Sequence, residues 1–116
     1  MNSQIFFTIK SIYIKLCNDN LIMTYFKKPY ITNNNSTINL QLLNNSNIII
    51  SITYLINKFD NYSKNIQTML LKNNNIYYDE EIEYGDIKNF KTIDELIYHL
   101  NYIALYLSSQ TEEIEK

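Results

Sequence analysis

Turns are the first constraint on this chain, because it has one glycine, Gly85, and one proline, Pro29, to make them with. Some other residue must bend the backbone. Asparagine is the next best, since it tolerates the left-handed region and hydrogen-bonds to its own backbone. The predicted breaks are therefore Asn18-Asp19-Asn20, Asn33-Asn34-Asn35-Ser36, Asn44-Asn45-Ser46-Asn47 and Asn73-Asn74-Asn75.

Residues 4–17 fit two periods. Ile5, Ile9, Ile12 and Leu16 share a helical face, whereas Ile12, Ile14 and Leu16 alternate as in a strand; helix is the preferred reading. Leu21 to Phe26 reads as a short strand. Thr37 to Leu43 alternates, with Ile38, Leu40 and Leu42 on one face and Thr37, Asn39 and Gln41 on the other. Ile48 to Phe59 is rich in β-branched and aromatic residues, and residues 44–47 join these two runs as a hairpin. Ser63 caps a predicted short helix with Ile66, Met69 and Leu70 on one face, ended by Asn73. Ile76 to Phe90 is expected to be extended and to turn near Gly85.

The strongest signal is C-terminal. Thr92-Ile93-Asp94-Glu95 has the form of a capping box, which satisfies orphan amides of a first helical turn. Ile93, Leu96, Ile97, Leu100, Ala104 and Leu107 follow at helical spacing and predict a helix over 93–109. An acidic tail, residues 110–116, is expected to fray beyond it. Tyr98, Tyr102 and Tyr106 recur at i, i+4 and i+8, nearly opposite the aliphatic set. A surface helix ordinarily keeps its second face charged. Tyrosine instead brings a large contact area with a hydroxyl that stays wet. These three residues are the candidate protein interface.

Other chemistries find little support. Asparagine and isoleucine supply 38 of the 116 residues, and arginine, valine and tryptophan are absent. That is the signature of a very AT-rich genome, such as that of a virus or an organelle, so single Asn and Lys residues carry little information. Arginine is the usual bidentate reader of phosphate and guanine. Without it, and with a net charge of −2, nucleic acid is not expected as a partner. Cys17 is the only cysteine, so no internal disulfide can form, and an intracellular, reducing compartment is expected. Its thiol is expected to be a buried small apolar group. Ile48 to Ile56 is far too short and too interrupted to span a bilayer, and the N-terminus lacks the basic residues and cleavage site of a signal peptide. Sequons at Asn34, Asn35, Asn44 and Asn61 are no more than so much asparagine would produce.

The run Asp79-Glu80-Glu81-Ile82-Glu83-Tyr84-Gly85-Asp86 offers oxygen ligands, but not at EF-hand spacing; Asp79, Glu81 and Glu83 alternate as the wet side of a strand. His99, the only histidine, follows Glu95 by four residues, an ordinary helical pair. No catalytic residue, metal ligand or cofactor site is predicted, and the chain is not expected to be an enzyme.

The expected fold is α+β in one domain, residues 1–116. A small antiparallel sheet carries a short middle helix, a long C-terminal helix packed on it, and an N-terminal helix. The expected function is non-enzymatic: a small acidic adaptor, inhibitor or accessory protein that binds another protein, itself as a homodimer, or both. In Ile48 to Asn75, with Ile66-Gln67-Thr68-Met69-Leu70-Leu71 as the short middle helix, and in Thr92 to Lys116 as the closing helix, the element order resembles the class I chaperones of type III secretion. That resemblance implies a small acidic homodimer that holds an effector segment extended; no site residue follows from it. A further reading from the genome type is a small structural subunit of a viral or organellar assembly.

Overall fold

The computed structural model describes residues 3–43, 47–57, 59, 61, 63–73, 75, 76 and 88–115. Their order is α1 (Ser3–Cys17), α2 (Asn20–Tyr25), β1 (Tyr30–Thr32), β2 (Thr37–Gln41), β3 (Ile48–Asn57), β4 (Ser63–Lys72), β5 (Asn75–Ile76), β6 (Lys88–Phe90) and α3 (Ile93–Glu115). The fold is mixed α+β. The strands form one antiparallel sheet in the order β1-β2-β3-β4, and the far edge of β4 pairs with β5 at one end and with β6 further along.

Asparagine does bend this chain. Among the described residues every positive φ outside glycine belongs to asparagine: Asn33 (55°), Asn34 (55°), Asn35 (67°), Asn61 (50°) and Asn73 (54°). Three of them are consecutive and link β1 to β2. Ser36 closes that turn: its N–H donates to the carbonyls of Thr32 and Asn33, both at 3.2 Å, and its hydroxyl donates to the Asn33 carbonyl at 2.6 Å. A left-handed residue other than glycine costs ~1–2 kcal/mol, less for asparagine.

α1 resolves the ambiguity of residues 4–17 in favour of helix. Ile9, Ile12 and Leu16 are fully buried, while Ile14, which the strand reading would have buried with them, is 49% exposed. β2 and β3 pair as expected, Ile38 with Ile52 and Leu40 with Ile50, and the even-numbered side chains of both face the core.

Two elements differ from expectation. Leu21 to Tyr25 belongs to helix α2 rather than to a strand, and Phe26 is its extended C-cap. Asp19, expected as part of a break, is its N-cap: its carboxylate accepts from the Ile22 N–H at 3.0 Å. Capping and the burial of Ile22 between α1 and α3 outweigh the β-propensity of so short a run. Residues 63–73 hold no middle helix. Ser63–Lys72 is strand β4, paired with β3 over its full length from Asn57↔Ser63 to Ile48↔Lys72. Ile66, Met69 and Leu70 suit a helical face, but Ile66, Thr68 and Leu70 also alternate, and the long β3 beside them decides for the strand. Thr68, fully buried on the core side, satisfies its hydroxyl on the Lys88 carbonyl at 3.2 Å. Of the two segments that carried the likeness to secretion chaperones, the one closing the chain is a helix as expected, but Ile66 to Leu71 is a strand and not their short middle helix. Asn73 does end the element, as a turn into β5. Residues 77–87, including the acidic run and Gly85, lie outside the described residues.

All three helices lie on one side of the sheet. α1 rests on β2 and β3, and α3 lies against α2 and β6. One continuous apolar core, from Ile9 and Ile22 through Ile50 and Leu70 to Leu100, joins the two layers. Lys15 at the end of α1 reaches Asp94 at the start of α3 at 3.1 Å. Both side chains are more than half exposed, so the pair adds at most ~1 kcal/mol.

Candidate protein interface on the closing helix

α3 begins where expected. The Thr92 hydroxyl accepts from the Glu95 N–H at 3.2 Å. The Glu95 carboxylate reaches back to the Lys91 N–H, at 3.3 Å, one residue earlier than the capping-box reading placed it. The helix then runs to Glu115, past 109 and through the acidic tail.

Its inner face is fully packed. Leu96, Leu100, Ile103 and Ala104 are 0% exposed and Leu107 is 1% exposed, whereas Ile93 and Ile97 are only partly buried against the core. Ile103 therefore belongs to the core sector and turns its centre away from Ile97. The tyrosine ladder is rotated with it. Tyr98 is 80% exposed and Tyr102 54%, but Tyr106 is partly buried and packs on the core cluster. At ~100° per residue Tyr106 lies roughly a quarter-turn from the buried centre, while Tyr98 lies nearly opposite it. The outward stripe continues instead through Leu105, 50% exposed. Leu105 is seven residues after Tyr98, so the exposed stripe reads Tyr98, Tyr102, Leu105 at i, i+4 and i+7. That is the anchor spacing by which an amphipathic helix lies in a groove. Leu105 could have been found in the sequence, as the leucine that fits neither the aliphatic face nor the tyrosine series.

At the N-terminal end of the stripe Asp94 is held by Lys15 and Glu95 is held in the cap. His99 is half-buried, with its ring against Phe90 of β6 at a centroid separation of 5.0 Å. Cys17 is half-buried at the end of α1.

The sheet presents a second broad surface, on the side away from the helices. Odd-numbered residues of β2, β3 and β4 point there. Towards the β1 edge their polar groups are tied sideways, whereas on β4 the Asn65 side-chain oxygen is buried without a hydrogen-bond partner among the described residues. Asn39 Nδ2 donates to Thr32 Oγ1 at 2.8 Å, Asn33 Nδ2 donates to Thr37 Oγ1 at 3.3 Å, and the Thr37 and Thr53 hydroxyls share a hydrogen bond at 3.3 Å.

Among the described residues no three His, Cys, Asp or Glu side chains gather where they could hold a metal ion, and no helix is long and apolar enough to cross a membrane. No protein-family model, curated protein or solved structure matches this chain.

Proposed function

We propose that this chain is a protein–protein interaction module, a small acidic adaptor, inhibitor or accessory protein without catalysis or cofactor. It binds its partner through the outer stripe of α3. One observation carries the reading: a helix whose inner face is fully buried also exposes Tyr98, Tyr102 and Leu105 in line on its outer face. Exposed aromatic and aliphatic side chains aligned on rigid backbone lose little entropy on docking, and tyrosine is enriched where interface energy concentrates. Tyr106 supports the stripe from below, by fixing the helix on the core. The lone Cys17 suits an intracellular, reducing compartment.

Tyr102→Glu tests this reading. It sets a charge in the middle of the stripe and leaves the buried face alone. Tagged wild-type and variant chains are compared by affinity capture from the native source with mass spectrometry, alongside thermal melting. A partner retained by the wild type is expected to be lost by the variant, with binding weaker by about 2 kcal/mol or more and melting unchanged. Partners captured equally by both chains, or a variant that no longer folds, would end the interface reading.

A further inference from the structure

We propose that the helix-free face of the sheet is a self-association surface, on which a second copy of this chain packs sheet against sheet. This surface is separate from the α3 stripe and does not depend on it.

Charge is the first support. No odd-numbered position of β2, β3 or β4 carries a charged residue; the two charged residues of these strands, Lys64 and Lys72, both fall at even positions. A solvated sheet face ordinarily alternates polar and charged groups outward. Lysine and the acids together make up 19% of the chain, yet none falls at an odd position of these three strands.

Hydrogen bonding is the second. The bonds from Thr32 to Asn39 and from Asn33 through Thr37 to Thr53 run across three strands within the face. Groups already paired to each other lose less when water is removed than groups that rely on it. Thr37 and Ser51 are already 4% and 8% exposed, and the described helices lie on the other face. Beside this polar zone, Ile49 and Leu71 pair across β3 and β4, next to Met69 opposite Ser51.

Size and shape select the occupant. At ~3.3 Å per residue and ~4.8 Å between strands, β1 to β4 present about 450 Å² of flat footprint. Two copies contribute about 900 Å² before side-chain relief is counted, close to the ~1,000 Å² at which specific interfaces begin. Sheets pack face to face at about 10 Å when both faces are free of charge. Another copy offers such a face by symmetry. An isologous pair with its two-fold axis at Ser51 puts small side chains where the sheets approach most closely. With an area at this lower limit the pair is reversible.

Sedimentation velocity of the full chain, from low micromolar to several hundred micromolar, reads the monomer–dimer balance. The test variant is Gln41→Glu with Gln67→Glu, near-isosteric changes on β2 and β4 that place four carboxylates inside a closed pair. The wild type is expected to dimerise, the double variant on the order of 100-fold more weakly with its melting retained, and Tyr102→Glu as well as the wild type. A wild type that stays monomeric overturns the proposal. So does a dimer that survives both glutamates or is lost with Tyr102→Glu. If the double variant fails to fold, methionine oxidation of the wild type decides. Met69, on the sheet face, should be protected as concentration rises while Met23 on α2 is not; equal rates at all concentrations reject the face.

Discussion

The two broad surfaces of this molecule differ in how they are prepared for contact. The outer face of α3 concentrates it. Tyr98, Tyr102 and Leu105 stand up from one helix, each at least half exposed, between the acidic residues of its first turn and those of its last turns. The outer face of the sheet spreads it. Its central side chains are half-buried or buried among themselves, its odd positions on β2 to β4 carry no charge, and its polar groups near β1 bond sideways. A ridge of anchors suits a groove on a different protein, whereas a flat neutral face suits another flat neutral face. The contrast follows from secondary structure. A helix with a fully buried stripe must put whatever remains on a convex outer side. A sheet of this width instead lets each side chain shelter its neighbours.

Four substitutions sharpen that contrast, because they separate the layer that builds each surface from the surface itself. The largest effect belongs to the core beneath α3. Leu100→Ala should cost ~2–5 kcal/mol in chemical denaturation, while Leu105→Ala, one stripe away, should stay within about 0.5 kcal/mol. Equal losses would mean that the helix is turned differently from the arrangement described. Next comes the turn that aligns β1 with β2. Asn34→Ala puts a side chain less suited to φ 55° into the middle of three left-handed residues, and should lower stability by about 1 kcal/mol. A rise in melting temperature would contradict that geometry. The smallest is the helix cap: Thr92→Ala removes the acceptor for the Glu95 N–H and should cost ~0.5–1 kcal/mol, with helicity by circular dichroism falling only slightly.

Much of this was legible from residue order alone where one pattern had no rival. β2 alternates without ambiguity, and Thr92 precedes an unbroken helical spacing. The asparagine clusters bend the chain at Asn33 to Asn35 and at Asn73, where no glycine is at hand to take a positive φ. Legibility failed where a short segment satisfied two periods. Ile66, Met69 and Leu70 fit a helix as well as a strand, and only a ten-residue partner, β3, with its backbone hydrogen bonds separates the readings. α2 is six residues long, too short for periodicity, and is held by the Asp19 cap and by packing on α1 and α3. β1 was missed because three residues after a proline carry no pattern of their own. In the candidate interface the error was one of rotation. Ile103 draws the buried sector toward itself, which leaves Tyr98 and Tyr102 outside, tucks Tyr106 against the core and exposes Leu105. Rotation of a helix about its axis depends on what it packs against, here α2 and β6; in the sequence α2 reads as a strand and β6 only as the end of an extended stretch, without its place beside α3.

The central claim is that α3 has one face that holds the molecule together and another that is free to bind. Thermal melting of two variants with the same new residue tests it most directly. Tyr102→Glu should melt within a few degrees of the wild type, and Leu100→Glu, which buries an unpaired carboxylate in the core, should be unfolded or close to it. A Tyr102→Glu protein that melts as low as Leu100→Glu would contradict the account, since the stripe would then be core and not surface.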